Sequence, residues 1–446
     1  MPILRDFEDG IGEKDQQERY ISAVERRLEN VNRRLNMLRT IVGIVFAVLL
    51  VGLCEARQSK VKPGIQVFLE SHLDLVRGKN VGIISNPTGV LPNLTNDVDL
   101  MHESFKDEIN LKAIFAPEQG FRGAQQAGES DGAYDDEKTG IPVFSIYGNT
   151  SEEINEIFDS AGVDTILFDL QDVGARYYTY VWTMSDTLEG IAGTDKQLIV
   201  LDRPNPLNGN TVDGPILKSN FSSFVGRYAV PTQHGMTVGE LARLFNDQFV
   251  PKKTDEKKAN VEIVWMDGWK RDMYYDDTGL PYVMPSINLP TFNSVLNYAG
   301  TCLFEGTTLS EGRGTTHPFE ILGAPWMDYH MAEEMNKLDL PGVLFAESHY
   351  VPTFSKFVNE TAVGVQIYIT DREEYNPLQT ALAIMIKAHE LYPDNFDFTD
   401  SNFLKLSGST YLKESILSGK SLDEIVDGWQ SDLNKFKKLR LNYLHY

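Results

Sequence analysis

From about residue 60 onward, the apolar positions of this chain gather into short, nearly unbroken runs: VGIIS at 81–85, LKAIFA at 111–116, TILFD at 165–169, QLIVL at 197–201 and VEIVW at 261–265. Such runs are short for helices and rich in aliphatic residues, so they predict strands. Because successive residues are apolar, both faces of each strand are expected to be buried, as in a parallel sheet covered by helices on both sides. The intervening stretches are long enough for crossover connections, and 151–161 and 238–249 read as two of the covering helices. The pattern therefore predicts an α/β body.

The pattern changes near 281–290, where prolines and small residues mark a crossing into a second region. A strand is expected over 363–369 and a helix over 378–391. The tail from 421 to about 443 reads as helix, because Ile425, Trp429, Leu433 and Phe436 fall on one face. The expected organisation is a sheet domain at 61–290 followed by a smaller α+β domain at 291–446.

The first 60 residues follow different rules. Ile21, Val24, Leu28, Val31, Leu35 and Leu38 recur at spacings of three and four, a heptad stripe that predicts a charged helix within 1–40. The uncharged run at 41–53 follows Arg33, Arg34 and Arg39. It is shorter than the roughly 20 residues of a membrane span. It suits the core of a signal peptide over 41–56, and otherwise a signal anchor. Either way the body is expected outside the cytosol, in a secreted or periplasm-like setting. A membrane would be met only through this segment if it stays uncleaved.

Charge and cysteine content narrow the function. The formal net charge of -23 argues against nucleic acid as a partner. Cys54 and Cys302 are the only cysteines, so no disulfide framework and no thiolate metal site is expected. The histidines show no metal-ligand spacing, and the reading as a whole implies neither a metal nor an organic cofactor. The sequence leaves oligomeric state open.

Candidate chemistry collects just past the predicted strands, where open parallel sheets place their ligands. Glu118 and Arg122 lie in PEQGFRG after the second run, and Asp169, Asp172 and Arg176 lie in the segment after the third. Asp202, Arg203 and Asn205 follow the fourth, and His234 precedes the helix that starts near 238. Tyr177, Tyr178, Tyr180 and Trp182 are spaced as alternate aromatics on a strand, either a sugar-stacking wall or core. The segment 301–316, TCLFEGTTLSEGRGTT, sets Glu305, Glu311 and Arg313 among glycines, a composition that predicts a loop built around something. The arginines offer clamps for a carboxylate on a ligand, or partners for the nearby acids. No nucleophile elbow, Walker loop or dinucleotide fingerprint is present. Carboxylates without metal-ligand spacing fit glycoside hydrolysis, in which one acid protonates the leaving oxygen and a second carboxylate attacks or activates water.

The motifs APEQGFRG, FDLQDVGARYYTY, LDRPNP, HGMTVGELA, GTCLFEGTTLSEGRGTT with HPFEILGAPW, and the closing KLRLNYLHY follow one another in order from about Val61 to Tyr446. Together they resemble the bacterial exo-β-N-acetylmuramidases. The resemblance implies a Rossmann-like parallel sheet domain with a smaller carboxyl-terminal domain and a site in the cleft between them. It also implies release of terminal, non-reducing N-acetylmuramic acid from β-1,4-linked peptidoglycan fragments. On that basis Glu118 is the favoured catalytic carboxylate, with Glu311 or Glu305 as its partner. The lactyl carboxylate of muramic acid gives a reason for Arg122, Arg203 and Arg313. Tyr177 and Tyr180 are candidates for stacking on the sugar. Two positions depart from the family pattern: Gln119 stands where a histidine is usual, and Ile287 where a proline is. A non-catalytic muropeptide-binding protein is the alternative expectation, with Gln119 as its trace.

Overall fold

The computed structural model describes residues 61–446 except 127, 130 and 131, together with Met37. The expected heptad helix and apolar run therefore lie outside the described residues, apart from that one methionine. Among the described residues, no helix is long and apolar enough to cross a membrane.

Seven strands build the first sheet: β1 (Asn80–Ser85), β2 (Asn110–Ala116), β3 (Tyr134–Asp135), β4 (Pro142–Ser145), β5 (Thr165–Asp169), β6 (Gln197–Leu201) and β7 (Asn260–Val264). Their order is β3-β4-β2-β1-β5-β6-β7. All pairs are parallel except the β3–β4 edge. Leaving β3 aside, the strands run 3-2-1-4-5-6 in order of appearance, the doubly wound arrangement whose strand order reverses beside β1. The central register sets Ile83 against Ile114 on β2 and Leu167 on β5, with Leu167 against Ile199 on β6.

Alternation within each strand explains why the runs are apolar throughout. Ile84, Ile166, Phe168, Leu198 and Val200 feed one core. Val81, Ile83, Leu167, Ile199 and Leu201 feed the other, beneath Phe68, Val98 and Met101. Burying each large side chain contributes about 1.5–3 kcal/mol, so a polar residue at any of these positions would open one face of the sheet. Two capping boxes fix the starts of the expected crossover helices. Thr150 pairs with Glu153 ahead of Ser151–Ser160, and Thr237 with Glu240 ahead of Val238–Gln248.

The second sheet is antiparallel: β8 (Ile321–Ala324), β9 (Val343–Tyr350) and β10 (Ala362–Ile369), in the order β8-β10-β9. Helices Pro377–Leu391 and Leu422–Arg440 follow it. Both sheets belong to one compact unit, residues 59–446. A single core runs from Phe115 and Phe168 through Trp182 and Phe304 to Leu382 and Trp429. The change near 290 is thus a change from parallel to antiparallel sheet inside a continuous core.

One expectation fails here. The aromatics at 177–182 do not lie on a strand, because the helix Tyr180–Ile191 begins in their midst. Helical geometry places Trp182 against Phe245, with ring centroids 5.4 Å apart, while Tyr178 and Tyr180 meet edge to face at 4.7 Å.

Candidate active site

A cleft of about 570 Å³ opens at the carboxyl edge of the first sheet, between loops after β2 and β5 and the segment that follows helix Phe292–Thr301. Its wall on the sheet side starts with the turn Pro117–Gly120. The Gly120 N–H donates to the Pro117 carbonyl at 3.1 Å, and Gln119 and Gly120 adopt φ of 71° and 78°. Positive φ at the third residue is the demand of a type II turn, which a glutamine meets only at some cost. Tertiary bonds hold it: the Gln119 N–H donates to the Glu129 carbonyl at 2.9 Å, and its side-chain amide donates to Ser286 Oγ at 2.8 Å.

That turn projects Glu118 into the cleft. Its Oε1 accepts from the Gly128 N–H at 2.7 Å, and its Oε2 is bonded to the Thr179 hydroxyl. The amide fixes Oε1 as an acceptor. The hydroxyl donates to a carboxylate and accepts from a carboxylic acid, so the Oε2 bond survives both protonation states. No cation pairs with Glu118 among the described residues. Tyr147 lies beside it, its phenol pushed up to about 12 by burial and, secondarily, by the Glu118 charge.

The opposite wall comes from the glycine-rich segment. Cys302–Gly306 continues the preceding helix as a 3-10 turn, and the chain then pairs with β8 through an antiparallel bridge between Ser310 and Gly323. Gly312 and Gly314 have φ of 79° and 81°, and a Cβ on Gly314 would sit 2.5 Å from the Phe354 carbonyl oxygen. These glycines therefore let the loop close on its neighbour. Glu305 faces the cleft with a quarter of its side chain exposed (25 %) and accepts from Arg313 Nη2 at 2.7 Å. Burial raises its carboxyl above the ordinary range, Arg313 pulls it back, and the Glu311 charge raises it further. Glu311 itself does not reach the cleft. It is 2 % exposed and is held from behind by Lys356 Nζ at 3.0 Å, which also donates to the carbonyls of Phe304 and Leu309. Two carboxylates and two cations thus form a balanced cluster, of which Glu305 and Arg313 line the cleft.

Most of the strand-end residues are used up elsewhere. Arg122 turns away from the cleft to Asp136 at 2.7 Å and Asp99 at 3.0 Å. Arg203 forks onto Asp169, with Nη2 to Oδ2 at 2.8 Å, and both side chains are buried. Arg176 is fully buried and meets no carboxylate. Its guanidinium donates to the carbonyls of Pro215, Val230, Leu406 and Ser407, tying the loop after β5 to the carboxyl-terminal region. Asp172 accepts from the Gly174 N–H at 2.7 Å and faces the buried His234, whose Nδ1 accepts from the Met236 N–H. Asp202 accepts from the Gly239 N–H at the start of Val238–Gln248 and from the Tyr446 hydroxyl, each at 2.7 Å. Burial pushes its carboxyl up to about 7. Asn205 donates to the Met236 carbonyl and accepts from the Leu207 N–H, closing a turn.

Tyr177 and Tyr180 do border the cleft, but as its foundation. Each is 2 % exposed, and their hydroxyls donate to the Ala299 and Pro285 carbonyls. Neither offers a ring face to a sugar, whereas Phe224 (57 % exposed) and Phe354 (39 %) at the rim do. Sequence reasoning passed over these two, along with Thr179, Tyr147, Ser286 and Asn402. Thr179 and Ser286 carried a signal, since Thr179 lies within the quoted FDLQDVGARYYTY segment and Ser286 directly precedes the departure at Ile287.

Comparison with known proteins matches this architecture to one family along the described body. The N-terminal model of the exo-β-N-acetylmuramidase NamZ matches residues 81–293, and its C-terminal model matches 296–446. The peptidoglycan β-N-acetylmuramidase NamZ of Bacillus subtilis (strain 168) is 44% identical over 393 residues, covering 88% of this chain and 92% of that protein. Two crystal structures of DUF1343 family proteins from Bacteroides fragilis NCTC 9343 superpose with TM-scores of 0.78 and 0.68, at 33% and 30% identity. They cover 87% and 86% of this chain, and 100% and 99% of their own. The chain belongs to the NamZ exo-β-N-acetylmuramidase family.

Proposed function

We propose that this protein is a glycoside hydrolase that releases terminal, non-reducing N-acetylmuramic acid from β-1,4-linked peptidoglycan fragments, with Glu118 as its proton-transfer group. The observation that carries the assignment is the state of the cleft carboxylates. Glu305 is tied to Arg313 and Glu129 is exposed, while Glu118 is partly buried, pairs with no cation among the described residues and is bonded to a hydroxyl that tolerates both protonation states. Glu118 gives its proton to the glycosidic oxygen as the bond to the anomeric carbon breaks. Water supplies the hydroxyl to that carbon, and the water's remaining proton replaces the one given up. Glu305 is the second cleft carboxylate and stabilises the positive charge that develops on the sugar ring. Arg313 is the one arginine of the three considered for the lactyl carboxylate that reaches the cleft, and its fork suits that group.

Gln119 is neutral at every working pH, so no proton passes through position 119 in this chain. That does not disarm the site, because the Glu118 contacts are made by Thr179 and Gly128. A location outside the cytosol is part of the same reading. It is supported by the apolar run at 41–53 behind its arginines and by the extracytoplasmic origin of the substrate.

The test is release of 4-nitrophenol from its β-N-acetylmuramide by the body from Gln58 onward, beside the β-N-acetylglucosaminide and the Glu118→Gln variant. Turnover of the muramide, lowered in the variant while muramic acid still binds, is the expected result. A folded sample that binds muramic acid without any turnover between pH 4 and 9 would leave a binding protein in place of an enzyme.

A further inference from the structure

The cleft does not end at Glu118. Behind it lies a second cavity of about 430 Å³ that shares Tyr147, Thr179 and Phe224 with the first. Its other walls include Asn149, Thr183, Asp186 and Arg227, above the buried edge of Trp182. Glu305, Arg313 and Phe354 line the first cavity but not the second. Thr179, which binds the Glu118 carboxyl, is therefore at the junction, and the Arg313 pair belongs to the far side.

We infer that this second cavity is the subsite for the leaving saccharide, and that it takes an uncharged N-acetylhexosamine. The inference rests on the functional reading above and extends it. A muramic acid whose lactyl carboxylate meets Arg313 lies on the Arg313 side of Glu118. The oxygen that Glu118 protonates then belongs to the next sugar, and that sugar has the second cavity to occupy.

The chemistry of the walls fits such a ring. Phe224, 57 % exposed at the junction, offers a face to the apolar side of a pyranose. The side-chain amide of Asn149 makes no hydrogen bond among the described residues, and the Thr183 hydroxyl has only a 3.5 Å contact to the Thr179 carbonyl. Both are free to meet hydroxyl or acetamido groups. Arg227 is already paired with Asp186 and with Glu189 at 2.7 Å, so two carboxylates share one guanidinium. That balance offers donors and acceptors to a neutral sugar and repels a carboxylate. A second muramic acid or an acidic stem peptide is thereby disfavoured in this cavity.

The experiment compares two substrates of the full chain. One is N-acetylmuramyl-β-1,4-N-acetylglucosamine, which fills both cavities. The other is the 4-nitrophenyl muramide, whose leaving group has no acetamido group or ring hydroxyls to offer. Thr183→Phe narrows the second cavity and Asn149→Ala removes a polar contact from its loop. In both variants kcat/KM for the disaccharide is expected to fall about tenfold relative to the aryl substrate, the scale of one lost stacking contact or hydrogen bond. Inhibition by free N-acetylglucosamine is expected to weaken by a similar factor. If the two substrates keep their ratio within about twofold in both variants, the subsite assignment is wrong. If the unaltered protein hydrolyses neither substrate, the functional reading itself falls, and this inference with it.

Discussion

After β5 and β6 the chain carries Asp169, Asp172, Asp202 and Arg203, and after β2 it carries Glu118 and Arg122. By residue type and position these groups are alike. In the folded protein they diverge: Asp169 and Arg203 neutralise each other in the core, Asp202 caps a helix, and Arg122 serves Asp136 and Asp99. Glu118 alone of this set is presented to the cleft by a turn, with a hydroxyl and an amide for company and no cation among the described residues. A carboxylate at a strand end is chemical machinery only when the fold leaves its charge uncompensated beside a space that a substrate can enter.

The sharpest way to break that comparison is to remove a cation from the compensated side. Arg203→Met leaves the Asp169 carboxylate buried without its partner, which costs about 3–5 kcal/mol of stability. Chemical denaturation is expected to show that loss, while kcat/KM of the remaining folded protein stays within about threefold. A selective collapse of activity would return Arg203 to the site.

Arg313→Lys probes the cleft side. It keeps the positive charge opposite Glu305 but loses the planar fork. Preference for the muramide over the glucosaminide is expected to drop about tenfold, the scale of one charge-assisted hydrogen bond. An unchanged preference would place the lactyl group elsewhere.

The smallest expected effect concerns Asp202. Its carboxyl, near 7 in the fold against an ordinary value of 3.8, favours the protonated form in the native state. The stability it contributes is therefore complete below about pH 4 and is lost as pH rises through 7. Asp202→Asn removes that titration, so its melting temperature is expected to gain on the parent between pH 4.5 and 8. A constant gap across that range would contradict the raised value.

Much of the first sheet was legible because its strands are buried on both faces. The expected strand at 165–169 coincides with Thr165–Asp169, and that at 197–201 with Gln197–Leu201. β4 escaped because it is four residues long and opens on Pro142, and β9 because most of its positions from Leu344 onward are at least partly exposed. The helix at Tyr180 was hidden by alternating aromatics and by a first turn without a side-chain cap. Within the site, Glu118 was readable from its turn between proline and glycine. Which of Glu305 and Glu311 lines the cleft was not, because Lys356 holds Glu311 away from it from forty-five residues along the chain. The arginines were equally ambiguous, since their partners come from Asp136, Leu406 and other segments remote in the chain.

The central claim is that Glu118 gives its proton to the leaving oxygen, and leaving-group dependence tests it most directly. Kinetics of Glu118→Gln would be measured on the 2,4-dinitrophenyl muramide, whose phenolate departs without a proton, and on the N-acetylmuramyl-N-acetylglucosamine disaccharide, whose alkoxide does not. The account predicts a loss of about 10²–10⁴-fold on the disaccharide and a far smaller one on the dinitrophenyl substrate. Equal losses on both would contradict it and take the proton transfer away from Glu118.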